Sequence, residues 1–324
     1  MIRAINKPQP LGTSVSGAFC NPGQTVRSWY VVMPSRKLKR DKAVGIDMLG
    51  RRLALWRDRS GVAHAVDAAC PHLGADLSLG KVVGDDLRCP FHHWRIGPGG
   101  RCVDAPCEKR TPSRGARPYP LAERHGLIWL FNGPSPAFEL PTLPDDDKPG
   151  DYFRVLVKPL HLKCHPHLAI ANGLDATHFD KLHGLTFTSE PVLEQLDDYR
   201  MQISFTGRPR SRWVRWVTHT GRDDVGAVFT SFGGSIAWLT FTSPLRFHAV
   251  FTARPDADGE TDTQTILFLP RGLGVQALRC AATLLCVLHA DRPILNSIQF
   301  RPGFVESDRA VIAFAKQINA MEAE

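Results

Sequence analysis

The stretch CPHLGADLSLGKVVGDDLRCPFHHW, from Cys70 to Trp94, constrains this chain more than any other. It holds two short loops, Cys70-Pro71-His72 and Cys89-Pro90-Phe91-His92. Each carries one thiol and one imidazole, and 16 residues separate them. Four ligand-type side chains at that spacing point to a bound metal centre. A single structural zinc is one solution. Zinc sites, however, usually draw cysteines from one knuckle and histidines from another, because one ion is indifferent to which loop supplies which atom. A two-iron, two-sulfide cluster is the other solution. If one iron takes two thiolates and the other two imidazoles, each loop can give one of each and grip the cluster from both sides. Neutral imidazoles in place of thiolates leave the cluster less negative and raise its potential.

The chain has 324 residues, which exceeds the usual single core and predicts two domains or one elaborated one. Its formal net charge of +8 suits an acidic partner. No nucleic-acid recognition fold accompanies that charge, which argues against nucleic-acid binding. The eight cysteines are spread along the chain, which argues against a disulfide scaffold. The first 25 residues hold Pro8, Pro10, Gly12 and Gly17 and no apolar run, unlike a secretory leader. No membrane span is expected either, since CAATLLCVL (Cys280 to Leu288) is too short. The expectation is a cytoplasmic, reducing setting with thiols free for metal.

From Ser28 to about Asn132 the text is strand-like, with SWYVVM, RRLALWRD, AHAVDAA and HGLIWLFNG as short β-rich runs and GPGG (Gly97 to Gly100) as a tight turn. Such spacing predicts a small β-sandwich or barrel. GPSPAFELPTLPDDDKPG (Gly133 to Gly150) is the best linker candidate. Beyond it, HLAIANGLDATHFDKL (His167 to Leu182) reads as one helix, residues 200 to 270 as strands, including RWVRWVTH and TQTILFLP, and the tail as helices. Pro293 sits where a helix break is expected, and Ser307 is a plausible N-cap of the last helix. The fold class is therefore α+β: residues 1–135 as a β-domain with an N-terminal extension, then residues 136–324 with an antiparallel sheet flanked by helices.

The Cys70 to Trp94 stretch closely resembles the Rieske [2Fe–2S] motif. That resemblance implies that Cys70 and Cys89 bind one iron and His72 and His92 the other. Respiratory-type Rieske proteins add a disulfide between the loops, with cysteines near positions 75 and 91. Ala75 and Phe91 stand there, as in the ferredoxin and oxygenase branch. The family usually has glycine after the second histidine, where this chain has His93; His92 keeps the ligand spacing. Cys102 and Cys107, in CVDAPC, match no ligand pattern and read as ordinary thiols.

A second constellation lies in NGLDATHFDKLHG. At ~100° per residue, Asn172, Asp175 and His178 fall on one helical face. His183 is too far round a regular helix to share it, but Gly184 is a natural terminator that lets His183 swing back towards His178. Two histidines and a carboxylate make the facial triad of mononuclear iron(II) oxygenases, with three positions open. A histidine-rich surface helix is the plainer alternative. The order and spacing of the two motifs resemble the terminal oxygenase components of Rieske non-heme iron oxygenases, from about Trp29 to the C-terminal helix.

The resemblance implies a third ligand in LHADRPILNSIQF, with Asp291 ahead of Asp308 and Glu306. An N-cap before RPIL is the structural alternative for Asp291. It also implies a head-to-tail homotrimer, in which Asp175 bridges His178 and a cluster histidine, expected to be His92, of the neighbouring subunit. Asn172 would be a near neighbour of the iron. Electrons would come from a ferredoxin or flavin reductase, steered by RKLKRDK (Arg36 to Lys42) with Arg51, Arg52, Arg57 and Arg59. O2 and a small, apolar or aromatic substrate would meet at the iron, with one or both oxygen atoms transferred, or with demethylation or desaturation. The pocket would draw on Leu185 to Thr188, the strands from Trp213 to Thr242 and the C-terminal helix; Phe205, Trp216, Phe229, Phe232, Trp238 and Phe241 lie there. A pure Rieske electron carrier and a zinc-stabilised binding protein are the rival readings.

Overall fold

The computed structural model describes residues 3–4, 17–21, 25–210, 215, 224–272 and 274–323. It divides into two compact units, one of residues 27–137 and one of residues 1–26 with 138–324. The expectation of a first domain over 1–135 therefore needs correcting at its start. Strand β1 (Arg3–Ala4) pairs with a strand near residue 195, Val26 bridges to Ala323, and the Ala18 carbonyl in helix α1 (Gly17–Cys20) accepts a bond from His167 Nδ1 at 3.0 Å. These partners are remote in sequence, and no local pattern signals them.

The 27–137 unit is all β. It contains β2 (Trp29–Pro34), β3 (Val44–Met48), β4 (Arg51–Arg57), β5 (Ala63–Asp67), β6 (Lys81–Val83), β7 (Asp86–Arg88), β8 (Arg95–Ile96), β9 (Cys102–Asp104), β10 (Pro118–Tyr119), β11 (Leu121–Arg124) and β12 (Leu127–Phe131). They form three antiparallel sheets, ordered β10-β5-β4-β3, β11-β12-β2 and β6-β7-β8-β9. Strand β4 shows how the sequence builds two cores. Alternate side chains point to opposite faces. Leu53 and Leu55 join Tyr30, Ile128 and Leu130, while Ala54 and Trp56 join Leu87, Trp94 and Ile96. The second core lies against both metal-motif loops, since it also takes in Cys70 and Cys89. Trp56 is completely buried, and its Nε1 donates to the Asp85 carbonyl at 2.8 Å. Arg57, expected on the surface, is 9% exposed and paired with Glu123.

The other unit centres on one antiparallel sheet. Its strands are β13 (Tyr152–Leu156), β14 (Leu160–Leu162), β15 (Leu185–Phe187), β16 (Val192–Gln195), β17 (Arg200–Pro209), β18 (Val225–Phe232), β19 (Ile236–Ser243), β20 (Phe247–Pro255) and β21 (Thr261–Pro270), with β1 at one edge. The order is β1-β16-β17-β18-β19-β20-β21-β13, with β14 also pairing β21 and β15 also pairing β17. Period-two alternation sends Ala227, Phe229, Ala237, Leu239, Ala249, Leu267 and Leu269 into one core. Helices cover it: α2 (Pro166–Ala171), α3 (Ala176–Lys181), α4 (Val275–Ser297) and α5 (Arg309–Ala320). Trp238 stacks on Phe268, and fully buried His248 takes a Thr240 hydroxyl at 3.0 Å. The strand expected over RWVRWVTH, with Trp213 and Trp216, lies outside the described residues apart from Arg215.

Three expectations change here. The single helix over 167–182 is two, α2 and α3, joined by a 3-10 turn at Asn172–Leu174 and an extended Asp175. Asp175 leaves the helical path because its Oδ1 caps α3, accepting from the Thr177 and His178 amides at 2.9 and 3.2 Å. Pro293 does not break the tail helix, and α4 runs through it to Ser297. The lost bond costs about 3 kcal/mol in a helix interior, but Ala277, Cys280, Leu284 and Leu295 bury an apolar stripe of α4 that offsets it. Finally, α5 starts at Arg309 behind a 3-10 turn at Glu306–Asp308, so Asp308 rather than Ser307 occupies the cap position. The expected linker is no loose tether beyond residue 138: Asp147 accepts from Arg246 Nε at 2.9 Å and from Arg246 Nη2 at 2.7 Å, and the Tyr152 hydroxyl also donates to it.

Candidate metal centres

The first centre is built on two β-turn loops. Cys70 follows β5, and its loop closes through Cys70 N to the Ala75 carbonyl (2.9 Å) and Gly74 N to the Cys70 carbonyl (2.8 Å). Cys89 follows β7, and Cys89 N donates to the Trp94 carbonyl at 2.8 Å. Both thiols are buried and free. Burial pushes the Cys70 thiol up to about 11; the His72 backbone opposes this and the neighbouring Cys89 adds to it. The rings of His72 and His92 lie 4.6 Å apart, edge to face. His72 Nδ1 is buried with no hydrogen-bond partner among the described residues, although such groups are normally paired. The orphaned His72 nitrogen, the adjacent His92 ring and two buried thiols supply the residue types that a Cys2His2 iron–sulfur cluster requires. Trp94, not singled out from sequence, stacks flat on His72 at 4.7 Å and an interplanar angle of 1°, which fixes that ring. Its only sequence signal is its place closing the second loop.

His93 shows why glycine is usual at its position. It sits at φ 60°, the left-handed region that L residues enter at a cost. Its side chain is exposed, so no packing contact compensates. Cys102 is buried with Sγ 3.4 Å from the Asp104 carbonyl, and Cys107 is exposed.

The second centre joins α3, the turn after it, and α4. Gly184, at φ +63°, ends the α3 segment and turns His183 back. His178 Nε2 and His183 Nε2 then lie 2.9 Å apart, and Asp291 Oδ1 lies 3.0 and 2.9 Å from them. Such a triangle of like acceptors is poor hydrogen bonding but good coordination. Ligand bonds of about 2.1 Å to one ion, at right angles, put donor atoms about 3.0 Å apart; a tetrahedral site would put them nearer about 3.4 Å. The spacing fits three corners of an octahedral face. Burial pushes the Asp291 carboxyl up, but His178 and His183 outweigh it and hold the carboxyl below its usual range. Asp291 sits mid-helix and 6% exposed, so the N-cap alternative fails. Asp308 Oδ2 instead accepts from Val305 N. Asn172 Nδ2 is 3.4 Å from His178 Nε2. Gly173 is required beside it, since a Cβ there would lie 2.1 Å from the Phe229 ring. Asp175 is half-buried at the cap; it makes no bond to His178 Nδ1, which is buried without a partner among the described residues.

Two mainly apolar cavities border this triangle. The first, about 810 Å³ including the part open to solvent, touches His178 and Asp291. The second, about 920 Å³ on the same basis, touches His183. Phe179, Leu239, Leu284 and Val287 line both and so form the wall between them. Of the aromatic residues in the stretches expected to supply the pocket, Phe229, Phe205 and Phe241 line one or other cavity, while Phe232 and Trp238 line neither.

A family model for the Rieske [2Fe–2S] domain matches residues 28–120. Aminopyrrolnitrin oxygenase PrnD of Pseudomonas fluorescens is 35% identical over 199 residues, covering 57% of this chain and 53% of that protein. The oxygenase component of chloroacetanilide N-alkylformylase from Rhizorhabdus wittichii is 37% identical over 176 residues, 51% of this chain and 49% of that one. The chain thus spans about half the length of these curated relatives. Among solved structures, dicamba monooxygenase bound to dicamba superposes with a TM-score of 0.70 at 22% identity, over 91% of this chain and 97% of that one. That likeness carries the fold: a Rieske domain followed by a mainly antiparallel sheet with helices.

Proposed function

We propose that this chain, a member of the Rieske non-heme iron oxygenases, is a terminal oxygenase component that oxidises a small organic substrate with O2 and electrons delivered through its cluster. The reading rests most on one observation, the near-3 Å triangle of His178, His183 and Asp291 in a chain whose other unit carries a Rieske domain. When bound, the cluster supplies electrons singly and the mononuclear iron supplies O2 activation. Cys70, His72, Cys89 and His92 would hold the cluster. His178, His183 and Asp291 would hold the iron from one side and leave the opposite side open. Phe179, Leu284 and Val287 keep the triangle's surroundings mainly apolar. Relatives named for aminopyrrolnitrin and for a chloroacetanilide support a small, mainly apolar or aromatic substrate. One or both oxygen atoms would enter it.

The assembly we infer is a head-to-tail homotrimer in the cytoplasm. There the Asp175 carboxylate, at the N-cap of the helix that carries His178, would bridge to His92 of the neighbouring subunit and hold the proton that moves with the electron. The donor would be an acidic ferredoxin, or a flavin reductase. Arg36, Lys37, Lys39, Arg40 and Lys42 are all exposed and supply the positive surface. Cluster reduction by an acidic ferredoxin should then slow steeply as salt is added, and a flat response would remove the steering role. The function itself is tested by product analysis. Protein supplied with ferredoxin, reductase, 18O2 and a panel of aromatic and steroid compounds should yield labelled product. His178→Ala should keep the cluster's colour and yield none; undiminished product from that variant would refute the assignment.

A further inference from the structure

The two cavities differ in what their hydroxyl groups are doing. In the second, Ser243 Oγ donates to the Asp224 carbonyl at 3.2 Å and accepts from Gly226 N at 2.9 Å. Thr283 Oγ1 donates to the Arg279 carbonyl at 2.9 Å. In the first, Thr252 Oγ1 donates to the Gln264 carbonyl and accepts from Gln264 N, and Thr263 Oγ1 donates to the Leu160 carbonyl at 3.0 Å. Each of these hydroxyls is committed to the backbone. Thr265 is different. It lines the first cavity, is only 6% exposed, and lies in register with Leu267 and Leu269, whose side chains enter the core on the helix-covered side. Its carbonyl accepts from Val157 N and Gln264 Nε2, but its hydroxyl makes no hydrogen bond among the described residues. A hydroxyl on a nearly buried residue that opens onto a cavity and spends no hydrogen bond on the described residues is free to bond to whatever occupies that cavity.

We infer that Thr265 Oγ1 is the polar anchor of the substrate site. The first cavity takes a neutral, largely apolar molecule bearing a hydroxyl or carbonyl oxygen, and Thr265 binds that oxygen. A threonine hydroxyl can donate to a carbonyl or accept from a hydroxyl, so both oxygen types fit. One neutral hydroxyl set among Leu160, Ile170, Phe251 and Leu295 cannot offset the desolvation of a carboxylate, which favours a neutral ligand. The anchor fixes which end of the molecule faces His178 and Asp291, the ligand-bearing part of the same cavity. This orienting role rests on the oxygenase reading; the binding preference does not.

The test uses iron-loaded protein, with 1-tetralone and its parent hydrocarbon tetralin as probes, and equilibrium dialysis as the readout. Thr265→Val keeps the shape and removes the hydroxyl. It should weaken 1-tetralone about tenfold, as expected for one net hydrogen bond, and leave tetralin within about twofold. Thr265→Ser should retain 1-tetralone binding within about threefold. If valine weakens both probes equally, or leaves the ketone unaffected, the anchor is overturned. Iron content measured on the same samples separates this result from failure of the oxygenase reading. An iron-free triangle with the same binding pattern would count against the oxygenase and for the anchor.

Discussion

Position 93 offers a prediction worked from a single backbone angle. His93 occupies φ 60° with an exposed ring, directly after His92 in the second cluster loop. An L residue in this region costs roughly 1–2 kcal/mol, and a β-branched one more. Glycine removes that cost but brings back about 0.4–1 kcal/mol of unfolded-state entropy. His93→Gly should therefore stabilise the 27–137 unit by roughly 0.5 kcal/mol, and His93→Val should destabilise it by more than about 1 kcal/mol. For a unit of this size, each kcal/mol moves the melting midpoint by roughly 4–8 °C. The valine and glycine variants should then differ by about 10 °C. The assay is loss of the cluster's visible absorption on anaerobic heating, with iron content confirmed equal beforehand, since His93 is not read as a ligand. A valine variant as stable as the glycine one would refute the backbone argument. A glycine variant that loses iron would make His93 more than a strained spacer.

Asp175→Asn should keep the α3 cap, because asparagine caps as well as aspartate, and Asp175→Ala should lose about 1 kcal/mol of stability. Both should retain cluster and iron yet lose more than about tenfold in substrate oxidation if the carboxylate couples the centres; normal turnover in the asparagine variant would remove that role. His248 gives a pH prediction. Burial, opposed by Asp147, lowers it from its ordinary 6.5 to about 4. The unfolded chain therefore takes up the proton first, and stability falls as pH drops from about 6.5 towards 4, by on the order of 3 kcal/mol. Urea unfolding of His248→Gln should show that much less loss over the same interval, and an unchanged acid limb would contradict it. Asp147→Ala removes the partner of Arg246 and Tyr152; because the Arg246 side chain is 38% exposed and water can take over, the loss in the same assay should be about 1–2 kcal/mol.

The first candidate centre was legible in the sequence because Cys70, His72, Cys89 and His92 lie in two short loops that the β6–β7 hairpin joins. Its environment was less so: the stacking of Trp94 on His72 depends on how the loops close. The second centre was legible as ingredients, and Gly184 pointed to the return of His183. What failed was the assumption of one continuous helix. A helical pattern says nothing about the Asp175 carboxylate competing for backbone amides, or about Gly173 being demanded by Phe229. Pro293 was misread for the converse reason, since burial along α4 outweighs a local propensity. Arg3–Ala4 and Val26 pair with residues near 195 and 323, a relation without local trace. Arg57 looked like surface charge until its partner Glu123, on a different strand, was in view.

The central claim is that one chain holds both a binuclear cluster and a separate ferrous ion. Iron and acid-labile sulfide counts on anaerobically purified protein and on His178→Ala test it most directly. The account predicts about three irons and two sulfides per chain, falling to about two irons and an unchanged two sulfides in the variant, with the visible spectrum preserved. Colourless, sulfide-free wild-type protein after reconstitution, or equal iron in both proteins, would contradict it.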